Sequence, residues 1–205
     1  MVRTKNVVFD DIYIDAVSTN VSVRFSPKPC NPFTNSSQSL PKNTDGFDTL
    51  NVDGLTVTNT RVNVGDDCFS PKPNTTNILV KNLWCNGTHG VSMGSIGQYP
   101  GVKDYISNAW IENVTLLNGE NGARLKAWAG PNVGYGYIDN ITYKDIHIEN
   151  TDHPVVLDQV SAITTESRVR CTLTSRLTVL LQHQRDDVCE VPKQCQHHER
   201  ELHQH

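Results

Sequence analysis

The sequence predicts an all-β chain wound as a parallel β-helix, a solenoid of short strands. Three observations carry that prediction. A short pattern recurs along the chain, its units alternate apolar and polar residues as strands do, and helical periodicity is almost absent. The pattern is a small polar residue, an aliphatic, one further residue and another aliphatic, and it appears as DDIYID, DGLTVT, KNLWCN, ENVTLL and KDIHIE. Its anchors are Ile12, Leu55, Leu83, Val114 and Ile146, which after a wider first gap come about every thirty residues. That interval suits one coil of a solenoid. Each unit runs through Val, Ile, Leu and Thr and then breaks at Asn, Gly or Asp, as short strands joined by turns do. Stacked in this way, inward aliphatics form one continuous core and backbone hydrogen bonds run between coils.

Composition limits the function. A chain of 205 residues with a formal charge of −4 carries no basic stripe, so nucleic acid is not an expected partner. No apolar run approaches the roughly 20 residues that span a bilayer, so no membrane partner is expected either. Acceptor sites of the form Asn-x-Ser/Thr start at Asn20, Asn35, Asn74, Asn86, Asn113 and Asn140, an excess that favours a secreted, extracellular glycoprotein. The six cysteines show no close Cys-x-x-Cys pair of the zinc type, which favours disulfides over metal. No apolar signal segment follows Met1, so residue 1 is expected not to be the native start.

The repeat serves as a ruler. Asp67, Ser95, Lys126 and Asp158 each lie twelve residues after an anchor, at Leu55, Leu83, Val114 and Ile146, and are expected to stack in one file. Arg124 and Lys126, two apart on a strand, share a face. His89 starts the strand between the acidic and the basic coils. Singly, each feature has an ordinary explanation: adjacent aspartates cap turns, a histidine satisfies a coil, and basic pairs cover a surface. Together, at matching coil positions, they describe one polar surface holding acids, an imidazole and cations.

Four short stretches give that surface a name. NTDGFD at Asn43 to Asp48, GDDC at Gly65 to Cys68, GTHG at Gly87 to Gly90 and RLK at Arg124 to Lys126 appear in order. They resemble the four signatures of the polygalacturonase family, family 28 of the glycoside hydrolases, over roughly residues 5 to 160. The longer stretches CFSPKPN, CNGTHGVSMGSIGQYPGV and NGARLKAWAGP resemble fungal exo-polygalacturonases in particular. The resemblance implies a right-handed helix and hydrolysis of α-1,4-galacturonosidic bonds in pectin by inversion. It makes Asp66 the general acid, Asp45 and Asp67 the pair that holds and deprotonates water, His89 a tuning group, and Arg124 and Lys126 the ligands of galacturonate carboxylates. It also implies a Cys68–Cys85 disulfide. Repulsion between adjacent Asp66 and Asp67 is expected to push one proton affinity up, as an acid beside a base requires. Both can reach the cleft only if the strand turns or bulges there, for which Gly65 is suited. An inverting pair is expected to stand about 6.5 to 9.5 Å apart. No metal or other cofactor is expected, and the molecule is expected to act as a monomer on polygalacturonic acid.

Departures from the pattern set the remaining expectations. Members of the family are commonly about twice as long, so residues 1–162 are expected to be a partial β-helix catalytic domain, a fragment of a longer solenoid. Residues 163–205 lose the Asn-rich alternation and form an atypical segment, although SRLTVLL around Leu177 falls near the interval for a further strand. The insertion from Phe25 to Lys42 and the loops GSIGQYPGV and WAGPNVGYGY are expected to wall the cleft and impose attack from a chain end. The alternatives are a rhamnogalacturonan hydrolase, a calcium-dependent pectate lyase on the same fold, and an inactive truncated helix.

Overall fold

The computed structural model describes residues 1–16, 43–161 and 174–181. They form eleven strands: β1 (Val2–Asp10), β2 (Tyr13–Asp15), β3 (Phe47–Asn63), β4 (Phe69–Pro71), β5 (Thr75–Asn86), β6 (Val91–Ile96), β7 (Lys103–Leu117), β8 (Asn121–Ala129), β9 (Tyr135–Glu149), β10 (His153–Ser161) and β11 (Thr174–Leu181). Every pairing is parallel, as the repeat predicts. One path runs β3-β5-β7-β9-β11, with β1 and β2 on the free side of β3; the other runs from the start of β3 through β4, β6 and β8 to β10. The chain is a parallel β-helix. The stretch around Leu177 forms β11, paired with β9.

Asparagine turns the corners. Asn51, Asn59, Asn77, Asn82, Asn108, Asn113 and Asn140 hold φ between 51° and 58°, a left-handed conformation that Asn tolerates better than other residues with a side chain. Each long strand thereby bends from one wall of the coil to the next without stopping. The side-chain amides then stack: Asn82 Nδ2 donates to Asn59 Oδ1 at 2.8 Å, and Asn113 Nδ2 to Asn82 Oδ1 at 2.7 Å. Parallel ladders join Asn63, Asn86, Asn118 and Asn150, and Asn77, Asn108 and Asn140. The amides of Asn74, Asn86, Asn113 and Asn140, all acceptor-site residues, are donors in such ladders. Their abundance therefore has a structural cause. Asn20 and Asn35 lie outside the described residues.

The core is a set of inward files. Val57, Val80, Ile111 and Tyr143 succeed one another in register, and all are at most 1% exposed. The anchor file needs a correction. Leu83, Val114 and Ile146 align, and Ile12 lies beside Thr60, but Leu83 pairs with Thr60, whereas Leu55 pairs with Ile78. Thr60, 1% exposed, satisfies its hydroxyl on the Thr58 carbonyl and occupies an aliphatic place in the file. The coil from Leu55 to Ile78 is thus 23 residues long, shorter than the thirty expected.

Candidate active site

The polar surface forms on the outside of the β4-β6-β8 wall, in a cleft of about 530 Å³ lined by Asn43, Asp45, Asp48, Asp66, Asp67, Lys72, His89, Arg124 and Lys126. All six residues singled out from the sequence are there. β3 ends at Asn63 and the chain bends at Gly65–Asp66 before β4, so the expected turn lets both adjacent aspartates meet the cleft. The bend is pinned from several directions. Gly65 donates its N–H to Thr44 Oγ1 at 3.1 Å, and Asp66 accepts the N–H of Asn43 at 3.0 Å and that of Asp67 at 2.8 Å. Beneath it lies the expected Cys68–Cys85 disulfide, with both residues fully buried.

The file of four is only half formed. Asp158 pairs in register with Lys126, but Ser95 falls in the irregular stretch between Met93 and Ile96. Asp67 sits earlier on its coil than the ruler placed it, because the Cys68 N–H bonds the Gly90 carbonyl. The misphased Leu55 anchor is the cause. Asp67 nevertheless meets Lys126 by reach: Lys126 Nζ lies 2.5 Å from Asp67 Oδ2, while the Ser92 hydroxyl donates to Asp67 Oδ1 at 2.6 Å.

Charge in the cleft is paired across coils. His89 places Nδ1 3.1 Å from Asp66 Oδ1 and Nε2 3.4 Å from Glu120 Oε2. The His89 bond, helped by the His89 charge and backbone N–H groups, outweighs burial and holds Asp66 well below the usual carboxylate range; the same bond raises His89. Asp45 behaves oppositely. Burial, with the hydrogen bond and charge of Asp48 added, pushes it up to about 6 against the opposing charge of Lys72. The expectation that repulsion raises Asp66 is therefore not met, because its through-space imidazole partner outweighs its neighbour in sequence. Arg124 Nη2 bonds Asp158 Oδ2 at 2.7 Å, while Arg124 Nε is buried without a hydrogen-bond partner.

One oxygen from each of Asp45, Asp66 and Asp67 lies within 4.8 Å of the others. That is closer than the separation expected for an inverting pair, and it is also an arrangement that could offer three oxygens to a cation. Lys72, His89 and Lys126 already stand beside those three acids as counter-charges. Of the expected walls, Phe25 to Lys42 lies outside the described residues. The other two loops knit together, Gly134 N–H to Gly97 O at 2.8 Å and Tyr135 N–H to Val102 O at 3.1 Å, but supply no residue that lines this cleft. Sequence reasoning missed Lys72, Asp48, Ser92 and Glu120. Lys72 and Asp48 lie inside quoted stretches, but their meaning comes from contacts across coils.

The family model for Glycosyl hydrolases family 28 matches residues 1–174. The chain belongs to this family. Within it, a protein described as "Probable exopolygalacturonase B" from Aspergillus fumigatus is 72% identical over 158 residues, covering 77% of this chain and 31% of that protein. Its namesake from Aspergillus niger is 64% identical over 158 residues, covering 77% and 32%. The chain thus spans about a third of the length of the curated relatives it matches. Among solved structures, the endo-xylogalacturonan hydrolase from Aspergillus tubingensis superposes with a TM-score of 0.64 at 27% identity, over 86% of this chain and 43% of that one.

Proposed function

We propose that this family 28 chain is the catalytic part of a secreted, exo-acting polygalacturonase, hydrolysing α-1,4-galacturonosidic bonds of pectin. The observation that carries the reading is the Asp66–His89 pair, 3.1 Å apart, set among three further carboxylates and three cations in one cleft. Asp66 and His89 hold one proton between them, and its delivery through Asp66 to the glycosidic oxygen leaves a carboxylate and a neutral imidazole. Asp45 and Asp67 orient and deprotonate the attacking water. Inversion is supported by their surroundings and not by their spacing: Asp67 is 1% exposed and tied to Lys126, and Asp45 is tied to Lys72, which disfavours either as a nucleophile at a sugar carbon. Arg124 and Lys126 meet the substrate carboxylates, Arg with paired donors and Lys with a point charge.

Chain-end attack is supported by the names of the 64–72% identical relatives. Secretion is supported by the buried disulfide, which suits an oxidising compartment. The test is hydrolysis of polygalacturonate and rhamnogalacturonan side by side, following reducing ends, viscosity and the first-formed anomer. Galacturonic acid monomers released with little viscosity loss, in the inverted anomer, are expected. A rapid viscosity collapse removes the exo assignment, and preference for the alternating polymer removes the substrate. Asp66→Asn is expected to lower turnover by about two to four orders of magnitude while oligogalacturonate binding persists. Substantial residual turnover takes Asp66 out of the acid role.

A further inference from the structure

Lys72 lines the same cleft, and the reading above uses it only as the tie that restrains Asp45. Its ammonium lies 3.2 Å from Asp45 Oδ2 and 3.2 Å from Asp48 Oδ1, and it donates to Ser70 Oγ at 2.6 Å. The Ser70 hydroxyl donates its hydrogen bond to the Gly94 carbonyl at 3.0 Å, which leaves its lone pairs to Lys72. The base of the side chain is fixed as well, because the Lys72 N–H bonds the Thr49 carbonyl at 3.1 Å and the Thr49 hydroxyl at 3.2 Å. Three protons thus meet three acceptors. A cation saturated in this way is poorly placed to grip a substrate carboxylate.

We propose that Lys72 is a positioning residue of this site: clamped by Asp48 and Ser70, its ammonium orients Asp45 beside Asp66 and Asp67 and favours its carboxylate form against burial and Asp48. The inference rests on the hydrolase reading only for the consequence that Asp45 then serves as base. The groups facing Asp45 are Lys72 from the end of β4, Asp48 from β3, and Asp66 and Asp67 from the bend between them. Behind the last two stand His89 on Asp66 and Lys126 on Asp67. Among these, Lys72 is the cation in direct contact with Asp45. Burial and Asp48 work toward protonating Asp45, and Lys72 works against them. Removal of Lys72 and removal of the Asp48 charge therefore push Asp45 in opposite directions, a signature that loss of packing does not produce.

The test uses the whole chain and its Lys72→Met, Lys72→Arg and Asp48→Asn variants, with the Asp45 carboxyl followed by carbon-13 NMR titration and identified by its absence in Asp45→Asn. Lys72→Met is expected to raise the Asp45 midpoint by about one pH unit or more, Lys72→Arg to leave it near the parent value, and Asp48→Asn to lower it. On polygalacturonate, the acidic limb of kcat/KM is expected to move with each midpoint. An unchanged midpoint in Lys72→Met, or movement in one direction for both Lys72→Met and Asp48→Asn, overturns the proposal. If the midpoints move as stated but no polymer is hydrolysed, the role of Lys72 stands and the hydrolase reading falls.

Discussion

Lys126 is asked to do two things, to meet a substrate carboxylate and to neutralise Asp67, and a double-mutant cycle separates them. The pair is 2.5 Å apart, with the Lys126 side chain 13% exposed and that of Asp67 1% exposed, so solvent screening is slight. Lys126→Ala leaves Asp67 with Ser92 as its remaining side-chain hydrogen-bond donor. Stripping one partner from a buried pair costs about 3–5 kcal/mol, chiefly because the other charge remains buried. Asp67→Asn is expected to cost less, because Lys126 opens onto the cleft, where water reaches its ammonium, and because the amide oxygen still accepts from Ser92. The double variant no longer buries a lone charge, so its loss should fall short of the sum of the single losses by about 2 kcal/mol or more. Urea unfolding of the four chains at neutral pH reads these values. A coupling below about 0.5 kcal/mol would mean that the contact contributes little to the folded state. The functional arm follows: Lys126→Ala should weaken binding of galacturonate oligomers more than of methyl-esterified ones, and equal losses would leave Lys126 a structural residue only.

Three further outcomes are expected. The Asp66–His89 pair gives stability that is fully present below the ordinary imidazole range near pH 6.5 and is lost as pH rises through the raised His89 value. At the other end, it is present above the ordinary carboxylate range near pH 3.9 and lost as pH falls through the depressed Asp66 value. His89→Gln should therefore show its largest deficit in urea midpoint between about pH 4 and 6.5 and converge on the parent once pH has risen past the raised His89 value; a pH-independent deficit contradicts the pairing. Replacing Cys68 and Cys85 together by Ala opens a link of sequence separation 17 and is expected to cost about 3 kcal/mol in urea unfolding, and an unchanged midpoint would show that the packed coils alone fix this corner. Asn82→Ala removes the middle of the Asn59–Asn82–Asn113 ladder and places a Cβ residue at φ 56° without a stacking amide, whereas Asn82→Gly keeps the turn and loses only the ladder. Alanine should thus cost about 1 kcal/mol more than glycine in the same assay, and equal losses would assign the whole effect to the ladder.

The fold was legible because a solenoid repeats its physics. Aliphatics at Ile12, Leu83, Val114 and Ile146 mark one inward file, and Asn, with Asp or Gly in places, marks the corners. The file was misread at Leu55 because the aligned residue is Thr60, a buried hydroxyl that hides its polarity in a bond to its own strand. That single slip displaced Asp67 in the expected stack, while Lys126 and Asp158, counted from correct anchors, pair as the sequence predicts. The site was legible as a set of residue types but not as a set of proton affinities. Adjacency in sequence suggested that Asp66 and Asp67 govern each other, whereas Asp66 answers to His89, 23 residues later, and Asp45 to burial, Asp48 and Lys72. Contacts between coils leave no local pattern, which is why Lys72 and Glu120 went unassigned.

The same coil-to-coil logic bears on how a charged polymer enters a cleft whose cations already have partners. Lys72 is held by Asp45 and Asp48, Lys126 by Asp67, and Arg124 by Asp158, each acid lying on a different turn of the solenoid from its cation. An incoming carboxylate cannot displace Asp67 cheaply, because that group is buried and would be left without its cation. Asp158, with its side chain 33% exposed, can turn to water at little cost. Asp158 engages Arg124 through Nη2, and the guanidinium carries further N–H donors, so a second carboxylate can be accepted before the first is released. On the proposed reading, Arg124 therefore makes the first grip on a galacturonate and Lys126 shares its charge between substrate and Asp67 afterwards. Recognition then begins beside β10 and moves along the coils toward Asp66, and the acid meets its bond only after the sugar carboxylate is seated.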